Sequence, residues 1–248
     1  MTARAELEIY RIDHASAAQA RGIVIVIDVI RAFSVAGYAF AGGARKLWLV
    51  RTKEEALALH EREPEALVGG EIGGRLIPGF DFNNSPSQMA MRDVYGHLLI
   101  QRTGAGTQGA VNVSQTASTI LLSALTNASA TATYAHKLAK TTGECITLLP
   151  TAHFEDSTYW DEDKICADYI EALLREPTNA PDLLKRGIAH LQATQRLAAW
   201  MEDHPDFPKE DIAAVFATNR FHFAMVGTRQ EWQGITYVEA QRVDVSEQ

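Results

Sequence analysis

Apolar residues along the chain are concentrated in short continuous runs and seldom alternate with polar residues. In the run at residues 22–31, Gly22 is followed by five β-branched side chains, and shorter runs occur at Lys46–Val50 and 145–149. Such runs are typical of strands that are buried on both faces of a sheet. The pattern therefore predicts an α/β protein with a buried sheet.

Segments between these runs carry helix signals. Two glycines follow Ala32–Ala41 and suit the end of a helix, while Thr52 and Glu55 form a capping box at the start of the next one. Further helices are expected from residue 86 and at 127–140, 161–175, 181–204 and 208–217. Further strands are expected near 6–13, 66–68, 97–102, 120–125, 221–226 and 235–243, the last at a sheet edge.

This order of elements predicts a layered α/β/α sandwich around a buried, mostly parallel or mixed sheet. With 248 residues, the chain is long enough for one α/β unit over 1–248 or for two similar lobes at 1–140 and 141–248. Both divisions are compatible with the pattern.

Composition narrows the classes of partner. The net charge is −8, and no basic run exceeds a pair, which argues against nucleic-acid binding. No apolar run approaches the ~20 residues of a membrane-spanning helix, so we expect no membrane partner and a cytoplasmic location. Cys145 and Cys166 lack metal-type spacing and are interpreted as reduced thiols. The sequence leaves open whether the protein forms a homo-oligomer.

Residues 69–86 form the most unusual stretch, with five glycines and two prolines among acids, amides and an arginine. Glu71 and Asp81 within it are hard oxygen donors of the kind that Mg²⁺ prefers. Ser85 and Pro86 suit the start of a helix, whose free N–H groups would attract an anion. An ordinary capped loop with solvated acids is the alternative interpretation.

Two further segments place polar groups after predicted strands, where ligands bind in open α/β sheets. Asp28 ends the first buried run and suits metal ligation or acid–base catalysis; the alternative is that it only caps its helix. Arg31 follows three residues later and suits anion binding. The glycine-rich turn at 103–109 offers N–H groups and hydroxyls to a phosphate or sulfonate, although a simple turn has the same composition.

Taken together, these residues resemble the 2-phosphosulfolactate phosphatase family. The most specific part is Gly-Phe-Asp-x-x-Asn-Ser-Pro at 79–86, read with Asp-Val-Ile-Arg-Ala at 28–32. The resemblance implies a Mg²⁺-dependent phosphatase that removes phosphate from 2-phosphosulfolactate on the route to coenzyme M. It covers most of the chain and extends to Asn127, Glu162 and Asp163 as additional site residues.

On this interpretation Asp28, Glu71 and Asp81 hold Mg²⁺, and Asp28, Asp81 and Arg31 are the catalytic residues. The groups expected to bind phosphate are Arg31, Asn84, Ser85, Thr103, Gly104, Gly106 and Thr107. One carboxylate would activate water. This mechanism is favoured over a phospho-aspartate because Asp28 is followed by two apolar residues.

The chain also departs from the family pattern. The family loop resembles Thr-Thr-Asn-Gly-Thr, whereas this chain has Gly104 and Ala105 at the second and third positions, and Pro150 to His153 replace an Ala-Gly pair. The departures leave the substrate open, and the sequence does not give the number of metal ions. Two other classes also remain: a protein that binds a phosphorylated or sulfonated metabolite without turnover, and an interaction protein whose loops form an oligomer interface.

Overall fold

The computed structural model describes residues 7–113, 115–151, 162–193, 197 and 206–245. The strands in these ranges are β1 Ile9–Arg11, β2 Gly22–Ile27, β3 Lys46–Val50, β4 Leu67–Ile72, β5 Arg75–Leu76, β6 Leu98–Arg102, β7 Ala117–Ser123, β8 Ile146–Pro150, β9 Phe223–Trp232 and β10 Ile235–Asp244. The helices are α1 Ala32–Ala41, α2 Lys53–Arg62, α3 Pro86–Met89, α4 Gly106–Val113, α5 Ala128–Thr142, α6 Glu162–Arg175, α7 Ala180–Ala193 and α8 Glu210–Val215.

All ten strands join one mixed sheet in the order β1-β8-β2-β7-β9-β10-β3-β6-β4-β5. Its two parallel parts, β1-β8-β2-β7 and β3-β6-β4, are joined by the antiparallel hairpin of β9 and β10. The predicted fold class, a layered α/β structure with a mostly parallel or mixed sheet, is confirmed. Strands from both sides of residue 140 interleave in the sheet, so its topology does not follow the division into lobes 1–140 and 141–248.

The hairpin strand β10 corrects one prediction. We expected this last strand at a sheet edge, but it lies between β9 and β3. It pairs with β9 along its whole length, from Ile235 to Asp244, and its middle also pairs with β3. Position at the end of the chain therefore says little about position in the sheet, because the partners of β10 are set by long-range pairing.

Helix α1 lies in the core, beside a sheet that curls so that distant strands meet. Its residues 32–40 are all buried, as expected for a helix that is apolar on every side. Strands β2 and β4 are six positions apart, which would be about 29 Å in a flat sheet. Yet the residues that follow β2 and those that end β4 bind the same turn, as described below. The sheet must therefore curl and bring its two parallel parts together.

Several local predictions are confirmed at their exact ends. The capping box of Thr52 and Glu55 starts α2, and Ser85 caps α3, with its hydroxyl accepting from the Gln88 N–H. Helix α4 was not predicted, and the second half of the helix expected at 181–204 lies outside the described residues apart from 197.

Both cysteines are free thiols. Among the described helices, none is long and apolar enough to cross a membrane.

Candidate active site

Asp28 directly follows β2 and is buried, with 6% of its surface exposed. Its Oδ1 accepts a hydrogen bond of 2.9 Å from the Ala32 N–H in the first turn of α1. Burial raises the pKa of Asp28 to about 6, and the neighbouring Glu71 carboxylate adds to the rise. Asp28 therefore supports its helix, and it also faces a second acid.

Glu71, near the end of β4, is that second acid. Its Oε1 accepts from the Gly104 N–H and its Oε2 from the Gly74 N–H, both at 2.6 Å. The Gly106 N–H donates to Asp28. One turn, residues 104–106, thus connects the two carboxylates. We predicted that Gly104 and Gly106 bind phosphate, but their N–H groups donate to the protein's own carboxylates.

The turn depends on small residues. A Cβ at Gly106 would lie 2.5 Å from Asp28 Oδ2, and one at Gly104 would lie 3.3 Å from Glu71 Oε1. The flanking threonines bind each other: the Thr103 N–H donates to Thr107 Oγ1 and the Thr107 N–H to Thr103 Oγ1. These reciprocal bonds start α4, so both predicted phosphate ligands also shape the helix start.

Asp81 lies elsewhere, which corrects the predicted set of three metal-binding carboxylates. Its side chain is exposed, and its Oδ2 accepts from the Val68 N–H at 2.8 Å, while its own N–H donates to the Val68 carbonyl. Val68 precedes Glu71 by three residues, about 10 Å along the strand. Asp81 thus covers the outer edge of β4. No group of three or more Asp, Glu, His or Cys side chains suited to a metal ion occurs in the described parts of the chain.

Arg31 is buried beside the carboxylate pair. Its Nη1 donates to Asp211 Oδ2 and to the Asp206 carbonyl, both at 2.8 Å, and its guanidinium lies 3.9 Å from the centre of the Phe207 ring. Burial lowers the pKa of Arg31, although the adjacent Asp211 and Glu71 favour its charged form. The predicted phosphate ligand is therefore already engaged by a segment that sequence reasoning missed.

Asp211 also occupies the predicted anion site at the start of α3. Its Oδ1 accepts from the Ser85 hydroxyl at 2.7 Å, and from the Ser87 N–H and hydroxyl at 3.0 and 2.6 Å. The anion held by this helix start is thus a side chain of the protein. Asp211 lies 180 residues from Arg31, and no motif surrounds it, so only the tertiary structure reveals the pair.

Asn84 takes part in an amide contact that was also missed. Its Oδ1 accepts from Gln101 Nε2 at 3.2 Å, and the same nitrogen donates to the Ala32 carbonyl at 3.2 Å. Gln101 on β6 therefore joins the start of α1 to the segment before α3. Its Oε1 is buried without a hydrogen-bond partner among the described residues.

Of the additional candidates, Asp163 contacts the backbone next to Asp28, whereas the side-chain amide of Asn127 is hydrogen-bonded elsewhere. Asp163 Oδ1 accepts from the Val29 N–H at 2.7 Å, next to Asp28, and Glu162 is buried beside it at the start of α6. Asn127 Nδ2 donates to the Leu122 carbonyl and to Thr131, and its Oδ1 accepts from the Ala124 N–H. Asn127 therefore stabilises its own loop.

The chain matches a family model described as 2-phosphosulpholactate phosphatase over residues 10–212. The chain belongs to this family. The matched range contains every candidate from Asp28 to Asp211, and the predicted enzyme class, phosphoric monoester hydrolase, is confirmed at the level of the family. Of the departures from the family pattern, Gly104 and Ala105 lie in the turn just described, whereas His153 lies outside the described residues.

Curated relatives carry the same name. A "Probable 2-phosphosulfolactate phosphatase" of Bacillus subtilis (strain 168) is 40% identical over 173 residues, which is 70% of this chain and 72% of the relative. Proteins of the same name from Deinococcus radiodurans and Carboxydothermus hydrogenoformans are 43% and 35% identical over 113 and 153 residues. Those two matches cover 46% and 62% of this chain, and 47% and 60% of the relatives.

Proposed function

We propose that this protein hydrolyses the phosphate monoester of a small acidic metabolite, 2-phosphosulfolactate, to sulfolactate and phosphate. Family membership and the names of the relatives support the substrate. The structural observation that carries the proposal is the pair of carboxylates, Asp28 and Glu71, connected by the 104–106 turn at one end of the sheet. By the resemblance, the reaction would lie on the route to coenzyme M.

The carboxylate pair fits a Mg²⁺ ion, which we propose as the cofactor. Two like charges close together in a buried place oppose each other, and the raised pKa of Asp28 reflects burial together with that repulsion. A divalent cation would remove the opposition, and oxygen donors are the ligands Mg²⁺ prefers. Asp28 and Glu71 would hold the ion, with water and substrate oxygens as its other ligands. When bound, Mg²⁺ would supply positive charge to the phosphoryl oxygens.

The chain's own groups account for the remaining steps. The charge of Arg31 acts on both Asp28 and Glu71, so the guanidinium is placed to bind phosphoryl oxygens beside the pair. One carboxylate of the pair takes the proton of the attacking water and so acts as its general base. The bond between phosphorus and the ester oxygen then breaks, and the leaving alkoxide takes up the proton that the carboxylate received from the water.

A substrate screen tests the proposal. Purified protein is incubated with 2-phosphosulfolactate, with phospholactate and with an alkyl phosphate whose alkyl group is uncharged. Phosphate release is measured with and without Mg²⁺. We expect release that requires Mg²⁺ and is fastest with the sulfonated substrate. Equal rates on the alkyl phosphate would contradict the acidic substrate, and binding of 2-phosphosulfolactate without any release would support a metabolite-binding protein instead.

A further inference from the structure

Asp211 is the acidic partner of the arginine that the proposed function assigns to phosphate. We propose that Asp211 is a positioning residue, which fixes the Arg31 guanidinium in the orientation that phosphoryl oxygens require. The inference rests on the proposed function, because Arg31 is a phosphate ligand only there. Asp211 itself need not touch the substrate, since it acts through Arg31.

The carboxylate of Asp211 is held too firmly to be an incidental ion pair. Its Oδ2 accepts from Arg31 Nη1, and its Oδ1 accepts from the Ser85 hydroxyl and from two groups of Ser87. The side chains of both Arg31 and Asp211 are nearly buried, at 3% and 6% exposure. Asp211 therefore fixes the start of α8 to the start of α3 and gives Arg31 an immobile anchor.

The guanidinium is fixed on one edge and on one face. Nη1 uses both of its protons, on Asp211 and on the Asp206 carbonyl. The Phe207 ring covers one face, and it packs so closely on Gly74 that a Cβ at Gly74 would overlap the ring. Rotation of the guanidinium would break these contacts together. Its orientation is therefore set by the segment 206–211.

The opposite edge of the guanidinium retains donors beside the carboxylate pair. Among the described residues, the one hydrogen-bond contact of Nη2 is a long one of 3.5 Å with the Gly74 carbonyl, and the Gly74 N–H donates to Glu71. The planar fork of an arginine binds two oxygens of a phosphate only when that edge faces them. An anchor on Nη1 is the simplest way to present it.

Stability alone is a weak reason for this arrangement. Burying an ion pair removes both charges from water, and well-packed apolar residues of similar volume often stabilise a protein as much or more. The pair lies beside the proposed reaction site and not in an ordinary part of the core. A role in placing Arg31 explains both its burial and its location.

The test compares Asp211→Asn and Asp211→Glu with Glu239→Gln as the control. Glu239 also accepts several hydrogen bonds, from Lys46, Trp48 and Gln241, but lies on β10 outside the site. We measure KM, kcat, the melting temperature and the dissociation constant of inorganic phosphate by calorimetry. The inference predicts that phosphate affinity and kcat/KM fall at least about tenfold in both Asp211 variants and remain near wild type in Glu239→Gln.

Asp211→Glu decides the case if Asp211→Asn does not fold, because it keeps the charge and only displaces it. If Asp211 merely neutralised Arg31, Asp211→Glu would restore phosphate affinity, and that result overturns the inference. A second arm combines Asp211→Glu with Arg31→Lys. The double variant should bind phosphate no worse than Arg31→Lys alone, whereas additive losses would show that Asp211 does not act through Arg31.

The outcomes also separate this inference from the proposed function. A wild-type protein that releases no phosphate from any monoester contradicts the proposed function, while its phosphate affinity can still be compared with that of the variants. An active wild type whose Asp211 variants keep full phosphate affinity contradicts the inference alone.

Discussion

Two buried clusters of charged side chains lie next to each other at one end of the sheet, and they differ in how their negative charges are balanced. In the first, Asp28 and Glu71 bring two negative charges together, and backbone N–H groups hold each carboxylate in place. In the second, Asp211 meets the guanidinium of Arg31 and three donors from the start of α3. Among the described residues, a cation forms an ion pair with a carboxylate in the second cluster and not in the first.

The difference indicates which cluster is suited to an external ligand. Hydrogen bonds from N–H groups orient a carboxylate but do not cancel its repulsion of a neighbouring one, and burial together with the Glu71 charge raises the pKa of Asp28. The Arg31–Asp211 cluster needs no cation. We therefore place the proposed metal at Asp28 and Glu71. In the Arg31–Asp211 pair, Arg31 is the proposed phosphate ligand and Asp211 holds it in position.

The largest expected effect is on Asp28→Asn. The amide can still accept from the Ala32 N–H, but it removes one charge from the pair. We expect kcat to fall by about 10²-fold or more, the usual scale for acid–base and electrostatic groups, while stability stays within about 1 kcal/mol of wild type. Kinetics and thermal unfolding of the same preparation check both parts. A folded variant with more than about a third of wild-type kcat would remove Asp28 from the mechanism.

Gly106→Ala tests the turn that connects the two carboxylates. Its Cβ would lie 2.5 Å from Asp28 Oδ2 and 2.8 Å from the Ala32 side chain, so Asp28 must move. We expect a loss of about 1–3 kcal/mol of stability and a clear loss of activity. Gly104→Ala is the matched control, since its Cβ would meet only the end of Glu71, at 3.3 Å. A Gly106→Ala variant that keeps wild-type stability and activity would show that the turn does not position Asp28.

The pH dependence of stability probes the like-charge pair. The folded pKa of Asp28, about 6, exceeds its ordinary value of 3.8. Its contribution to stability is therefore fully present below about pH 4 and is lost as the pH rises through about 6. In metal-free protein, the difference in unfolding free energy between wild type and Asp28→Asn should shift in favour of wild type as the pH is lowered from 7 to 5. A constant difference would mean that burial and the Glu71 charge do not raise the pKa of Asp28 in the folded protein.

The smallest effect on activity is expected for Asp81→Asn, because Asp81 binds Val68 at the edge of β4 and not the site. The structure predicts kcat within about threefold of wild type and stability within about 0.5 kcal/mol of it, because the side-chain oxygen of Asn can still accept from the Val68 N–H at this exposed position. Enzyme assays and chemical denaturation distinguish this result from the role of metal ligand that the sequence suggested. A fall in kcat as large as that of Asp28→Asn would restore Asp81 to the catalytic set.

Local signals predicted much of the fold. The ends of α1, α2 and β3 follow from a glycine pair, a capping box and a buried apolar run, all read within a few residues. The central position of β10 and the curl of the sheet could not be predicted in this way, since they depend on pairing between distant segments.

The site was predictable in part for the same reason. Asp28 and Glu71 each stand at or near the end of a buried strand, which is a local signal, and the structure brings them together. Asp81 shares the motif, but spacing along a loop does not tell which way a side chain faces. Asp211 and Gln101 have no local signal, because their partners are far away in sequence.

The central claim is that the Asp28–Glu71 pair holds the divalent cation. Calorimetric titration of metal-free protein with Mg²⁺ tests it directly, using wild type, Asp28→Asn and Asp81→Asn. The account predicts one binding event in wild type, nearly the same affinity in Asp81→Asn, and a loss of at least about tenfold in Asp28→Asn. Undiminished binding in Asp28→Asn, together with lost binding in Asp81→Asn, would contradict it.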